Sequence, residues 1–123
     1  MQFKSYILTA LAALALASPA WAHHSHANYD LNEFLIMDGT VTEVFWINPH
    51  VWLSLEVVNE EGEPNVWVLE GASVGQLLRD GWRQDSMVVG DPISVRCHPL
   101  RDGSDGCLLG YITLPGEEEK EYD

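Results

Sequence analysis

The chain has 123 residues, of which 19 are Asp or Glu and 6 are Lys or Arg, so its formal net charge at pH 7 is −13. This length suits one domain with a modest core and is too short for two. Because an acidic surface attracts cations and repels phosphate, we expect a metal ion or small ligand as partner, and we exclude nucleic acid.

Residues 1–22 have the pattern of a secretory signal peptide. Lys4 supplies a positive charge, residues 6–17 form an apolar run, and Ala20-Trp21-Ala22 supplies the small residues that signal peptidase requires. The run is too short to span a bilayer, which disfavours the alternative of a membrane-anchored N-terminus. We therefore expect a periplasmic or secreted protein that begins at His23, with no stable membrane insertion after cleavage.

The mature chain begins with a His-containing arm, residues 23–34, and strands follow it. Residues 40–47 are rich in β-formers, and the strand is expected to start near Leu35. Strict alternation predicts a second strand over 51–57. After a turn, residues 66–70 should return as its antiparallel partner, which makes a three-stranded meander.

A short helix is predicted next, because Ser73 and Gln76 match a capping box and Gly81 suits the C-terminal cap. Trp82 is placed to cover the bottom of a barrel. Residues 93–97 and 108–114 predict the fourth and fifth strands.

Five strands with one helix between the third and fourth define the expected fold class: all-β with one short helix, a small OB-fold-like five-stranded Greek-key barrel. An open sandwich of the same strands is the rival. The barrel domain is assigned to residues 35–116, and the acidic tail, residues 117–123, is expected to be solvated and frayed.

Cys97 and Cys107 flank a loop rich in turn-forming residues, so they can face each other across a hairpin. In an oxidising exported compartment, this arrangement favours a disulfide. A metal–thiolate pair is the competing interpretation.

A set of short motifs runs through nearly the whole mature chain: His23-His24-Ser25, Gly39-Thr40-Val41, Trp46, Asn48-Pro49-His50, Trp67, Glu70, Gly81-Trp82, Gly90-Asp91 and Pro99-Leu100-Arg101-Asp102-Gly103. Together they resemble the pattern of an exported bacterial family, domain of unknown function 6152. The resemblance implies export and a small β-domain, and it does not imply a known activity. His26 departs from the family pattern, which usually has an aromatic residue there, and the cysteine pair is not part of that pattern.

The predicted mature N-terminus carries the strongest chemistry, since cleavage gives His23 a free α-amine beside its own imidazole. A third nitrogen from His24, His26 or His50 would complete the geometry that Cu(II) favours. Zinc is the alternative, with tetrahedral N and O ligands. A solvated terminus that binds metal only as any exposed histidine cluster would is the competing interpretation. Extended, the arm spans up to ~40 Å, enough to reach His50.

Asn48 and His50 have a structural alternative, which is to satisfy backbone groups at a strand end. Trp46, Trp52 and Trp67 are candidates for an aromatic platform, with core packing as the alternative. Glu70 ends a strand, where a solvated or helix-capping carboxylate is the simpler interpretation. No catalytic constellation is present in the sequence, so we predict that the protein is not an enzyme.

Two functions follow from these patterns. The first is an exported metal-binding or metal-handling protein, copper first, built on His23 with His24, His26 and His50 as partners. The second is a structural or accessory OB-like module that presents Trp46, Asn48, Trp52 and Glu70 to a small ligand or to a partner protein in the periplasm, without metal.

Overall fold

Alternating apolar side chains produce most of the strands in this protein. The computed structural model describes residues 26–123. The elements are β1 (Leu35–Phe45), β2 (Trp52–Val58), β3 (Pro64–Glu70), α1 (Val74–Arg79), β4 (Pro92–Pro99), β5 (Gly106–Thr113) and β6 (Lys120–Glu121). The predicted signal peptide, residues 1–22, lies outside the described residues.

The strands form one sheet that closes on itself. Its order is β3-β2-β1-β4-β5-β6, and the neighbours in this order pair antiparallel. Closure comes from a parallel pairing of Val68–Glu70 with Gly106–Leu108. The result is a five-stranded barrel with one helix between the third and fourth strands. This confirms the predicted OB-like fold and excludes the open sandwich.

The core lies inside the barrel, where alternate residues of each strand point. Leu53 and Leu55 of β2 are completely buried, as are Val41 of β1 and Leu109 of β5. Each such side chain stabilises the fold by about 1.5–3 kcal/mol relative to an exposed one. The helix α1 adds its buried Leu77 to the same core.

The helix begins and ends where the sequence predicted. Ser73 is the N-cap, and its hydroxyl accepts a hydrogen bond from the Gln76 N–H at 3.2 Å. The Gln76 side chain instead donates to Asp80, so only half of the capping box forms. Gly81 follows the C-cap with φ of +89°, a left-handed conformation that glycine adopts without a steric penalty.

The acidic tail is packed against the barrel, which corrects the expectation of a frayed end. Lys120–Glu121 pairs with β5, and Tyr122 is buried with only 1% of its surface exposed. The Tyr122 ring meets Trp82 edge-on, at 4.8 Å between centroids, and the Trp82 indole N–H donates to the Glu121 carbonyl. A few specific aromatic and backbone contacts therefore order a segment whose composition predicted solvation.

Cys97 and Cys107 form the predicted disulfide, with 5.7 Å between their Cα atoms. It joins β4 to β5, and both residues are completely buried. This confirms the disulfide over the metal–thiolate alternative. No helix within residues 26–123 is long and apolar enough to cross a membrane.

Candidate functional site

Residues 26–34 of the N-terminal arm lie against the loop between β4 and β5. Tyr29 forms a β-bridge with Leu100, and the Asp30 N–H donates to the Pro99 carbonyl at 2.8 Å. The Arg101 N–H donates to the Asn28 carbonyl, also at 2.8 Å. These backbone bonds fix the position of the arm on the barrel.

Tyr29 covers a buried carboxylate at the end of β3. Its hydroxyl donates to Glu70 Oε2 at 2.6 Å, and both residues are buried. Among the charged side chains of residues 26–123, Glu70 alone is buried. Burial, together with the Glu70 hydrogen bond and charge, raises the pKa of Tyr29 far above its ordinary value. The phenol therefore stays neutral and keeps donating to the carboxylate. Glu70 is thus neither solvated nor a helix cap, which corrects the simpler interpretation. Because it is buried, Glu70 also does not present its side chain on a ligand or partner surface, which corrects that assignment.

His50 follows the turn between β1 and β2 and points toward this carboxylate. Its Nδ1 lies 3.0 Å from the Gly71 carbonyl oxygen and 3.6 Å from Glu70 Oε1. Because a carbonyl oxygen can only accept, Nδ1 must carry a proton in this hydrogen bond. In the neutral ring, the other nitrogen, Nε2, then keeps a free lone pair. A histidine held through Nδ1 by a carbonyl or carboxylate is the usual arrangement of a metal ligand.

His26 is the second histidine at this place. Its ring centroid lies 6.3 Å from that of His50, with the planes inclined by 57°. A turn closed by the Tyr29 N–H and the His26 carbonyl carries it there. Two imidazoles that bind one metal ion at ~2.0–2.1 Å have centroids roughly 4.5–6.5 Å apart, so the observed spacing suits a shared ion.

The C-terminal tail contacts Gly71, the residue whose carbonyl oxygen accepts from His50. A Cβ at this position would lie 2.9 Å from the Tyr122 ring, so only glycine fits without displacing that ring. The Gly71 N–H donates to the Val51 carbonyl, and the Ala72 N–H donates to the Tyr122 carbonyl. The C-terminal segment thereby fixes the carbonyl that orients His50.

The structure separates the predicted site residues. His50 lies beside both His26 and Glu70, whereas His23 and His24 lie outside the described residues. Asn48 accepts from the Val74 N–H through its side-chain oxygen, the structural role considered for it.

The three predicted platform tryptophans do not share a face. Trp46 and Trp67 pack against the core, which corrects the assignment of Trp46 to a ligand or partner surface. Trp52 lies opposite Glu70, on the outer face of the sheet.

Sequence reasoning missed Tyr29 and Gly71. The only signal for Tyr29 was an aromatic residue inside a polar arm. Gly71 had none, because its role depends on a distant side chain. Within residues 26–123, no group of three or more His, Cys, Asp or Glu side chains is arranged to hold a metal ion. In this part of the chain, the structure therefore shows a pair of imidazoles without a third ligand group beside them.

Fold and site together define a closed OB-like barrel with two histidines above a buried carboxylate, between the β1–β2 and β4–β5 loops. The chain belongs to the Family of unknown function (DUF6152), whose model matches residues 11–109. This confirms the resemblance drawn from the motifs. None of the curated proteins matches the chain.

The chain is similar to two solved structures of single-stranded DNA-binding proteins. The mitochondrial single-stranded DNA-binding protein of S. cerevisiae has a TM-score of 0.50 and 14% identity, over 72% of this chain and 96% of its own. The small single-stranded DNA-binding protein from Streptomyces coelicolor has a TM-score of 0.45 and 17% identity, over 68% of this chain and 92% of its own. At 14% identity, the likeness to the yeast protein shows the fold alone.

The first of these neighbours contradicts the exclusion of nucleic acid as a partner. That exclusion was wrong because it rested on net charge, which sums the whole surface, whereas binding depends on the charge of a local area. A barrel of this fold binds single-stranded DNA in the yeast protein. A net charge of −13 therefore does not by itself exclude a ligand class.

Proposed function

We propose that this protein is an exported metal-binding protein that takes up copper between His26 and His50. The observation that carries the proposal is the pair of rings, with centroids 6.3 Å apart beside the buried Glu70. Imidazole nitrogens suit copper, and copper binds such sites more tightly than the other divalent first-row metals do. Zinc is the competing metal, with a tetrahedral set of N and O ligands.

The orientation of His50 supports this function. Its Nδ1–H is held by the Gly71 carbonyl, with the Glu70 carboxylate 3.6 Å away, so Nε2 is free to coordinate. Hydrogen-bond acceptors on the far side of the ring fix its tautomer and make the coordinating nitrogen a stronger donor. The negative charge of Glu70 also favours a cation nearby, since a buried carboxylate is screened less than an exposed one.

The remaining ligands are proposed to come from His23 and His24. His23 lies three residues before His26, so extended chain brings it within ~10 Å. If the signal peptide is removed after Ala22, the amine and ring of His23 chelate one ion. With His26 and His50, this set supplies four nitrogens, which suits the tetragonal geometry of Cu(II).

The test is calorimetric titration of the mature protein with Cu(II) and, separately, Zn(II). His50→Ala and His26→Ala should each weaken copper binding by more than about 100-fold, because loss of an outer-shell partner alone costs 10–100-fold. His98→Ala is the matched control, since His98 also points its Nδ1 at a backbone carbonyl, that of Glu33. Equal copper affinity in all these proteins contradicts the proposal.

Export and processing are tested separately, by mass spectrometry of the protein recovered from the periplasm or medium. The proposal expects a chain that begins at His23. An added residue before His23 should weaken copper binding while leaving the contribution of His50 in place. A mature chain that begins elsewhere removes His23 from the ligand set.

The second candidate is a structural or accessory module that binds a ligand or partner without metal. The outward position of Trp52, on the sheet face of the barrel, favours it. If none of the histidine variants changes copper affinity, this second function takes precedence. In both cases the role is binding, and the absence of enzymatic activity stays a prediction.

A further inference from the structure

The outer face of β1, β2 and β3 forms a second surface next to the histidine site. Directly opposite residues share one face of a sheet, so the strand register defines the rows of this surface. The rows are Phe45 with Trp52 and the buried Glu70, Glu43 with Ser54 and Val68, and Thr40 with Glu56 and Val66. We call these residues the three-strand face.

Large apolar side chains are exposed on the three-strand face. Phe45, Val66 and Val68 keep 44%, 53% and 46% of their surface accessible. Their neighbours on the same strands, such as Val44 and Leu69, point into the core. Contiguous apolar exposure on a sheet marks an interaction site, and in OB-folds this sheet face is where ligands bind.

The charge of the three-strand face has a single sign. Its exposed charged side chains are those of Glu43 and Glu56. The sequence from His26 to Leu78, which includes all three strands, contains no Lys or Arg. The carboxylates therefore have no cation on their own face to pair with, and each of them shares a row with an exposed valine.

We propose that the three-strand face binds a basic, apolar segment of a partner protein. Lys or Arg side chains of the segment pair with Glu43 and Glu56, while its apolar side chains cover Phe45, Val66 and Val68. Opposite charges steer the encounter, and the apolar contacts hold the complex. This interaction uses none of the histidines and so goes beyond the copper function.

The experiment uses a labelled synthetic peptide of alternating Lys and Val, followed by fluorescence anisotropy on the mature protein. A peptide of alternating Glu and Val tests the sign of charge. The Lys–Val peptide should bind and the Glu–Val peptide should not. The affinity should fall as salt is added, because exposed charge pairs are screened.

Two charge-reversal variants locate the binding surface. Glu43→Lys with Glu56→Lys should lower the affinity for the Lys–Val peptide by about tenfold or more, since this double substitution replaces two attractions with two repulsions. Glu60→Lys with Glu61→Lys changes the net charge equally but lies in the exposed β2–β3 turn, and should change affinity less than about twofold. Val66→Ser with Val68→Ser should also lower the affinity for the Lys–Val peptide. Circular dichroism checks that each variant is folded.

Three results overturn the proposal. The first is no binding of the Lys–Val peptide, and the second is equal weakening by both charge-reversal pairs, which would reduce the effect to net charge. The third is an oligothymidylate that binds the unmodified protein and displaces the peptide, which would assign the three-strand face to nucleic acid.

Discussion

His50 and His98 are held in the same way but lie in different surroundings. Each directs Nδ1 at a backbone carbonyl, at 3.0 Å for Gly71 and 2.6 Å for Glu33. The His50 ring then faces a second histidine and a buried carboxylate. The orientation of the ring is therefore common to both histidines, and what distinguishes His50 is the second imidazole and the buried carboxylate beside it.

The surroundings of His98 favour packing instead. Its ring lies on Phe34 with centroids 4.1 Å apart, and the Arg96 guanidinium packs on the same Phe34 and on Tyr111. A nearby guanidinium disfavours a second cation, whereas the Glu70 carboxylate favours one. Four predictions test this difference, in order of decreasing effect.

The largest effect on stability should come from the disulfide, which joins β4 to β5 at the base of the loop that the arm contacts. Replacing Cys97 and Cys107 with Ala should lower the free energy of unfolding by about 3 kcal/mol, because the unfolded chain loses the constraint on its loop. Urea denaturation measures the change. The arm contacts Pro99 and Leu100, which lie between the two cysteines in the sequence. We expect the variant to lose copper binding only from the fraction of molecules that unfold, and the folded fraction to keep its affinity. A selective loss of copper in the folded variant would show that the two regions are not independent.

Tyr29→Phe should cost about 1–3 kcal/mol, because it leaves the buried Glu70 without its hydrogen-bond donor. Tyr111→Phe is the control on the His98 side, where the ring packs on Arg96 through its face. As a change at the partly exposed surface, it should stay within about 0.5 kcal/mol. Equal effects in urea denaturation would mean that the Tyr29 hydroxyl contributes nothing special.

Glu70→Gln should separate the charge of the carboxylate from its hydrogen bonds. The amide oxygen can still accept from Tyr29, so stability should change little. Copper affinity should fall by about tenfold, the lower end of outer-shell effects. Asp38→Asn, an exposed carboxylate on β1, is the matched control and should leave copper affinity unchanged. Unchanged affinity in Glu70→Gln would limit Glu70 to a structural role.

The smallest effect concerns alkaline pH. Burial raises the pKa of Tyr29 and Tyr122 above the ordinary value of 10.0. The folded protein therefore holds these protons more tightly than the unfolded chain. Their stabilising contribution is complete below pH ~10 and is lost as pH rises above it. Urea midpoints from neutral pH to about pH 11 should fall less steeply in Tyr29→Phe than in the unmodified protein. Parallel curves would contradict the assignment.

The barrel was predictable because it follows from local patterns. Alternation in β2 placed Leu53 and Leu55 inside and Trp52 outside, and two cysteines around a turn-rich loop predicted the disulfide. Trp46 was misassigned because it follows β1, where strand alternation no longer decides which side chains face the core.

The histidine site was less accessible to sequence reasoning. His26 meets His50 only through the backbone bonds of an irregular arm, which have no periodic signal. Alternation points Glu70 outward, and its burial results from Tyr29, 41 residues away in the sequence. The tail was misjudged because its charges dominate its composition, while Tyr122 alone supplies the apolar contact that anchors it.

The most direct test of the copper site is pulsed EPR of the Cu(II)-loaded mature protein with ¹⁵N-labelled histidine. The proposal predicts coupling to at least two imidazoles, those of His26 and His50. His50→Ala and His26→Ala should each lose one imidazole from the spectrum, whereas His98→Ala should leave it unchanged. An identical spectrum in all three variants would contradict the proposal that copper binds between His26 and His50.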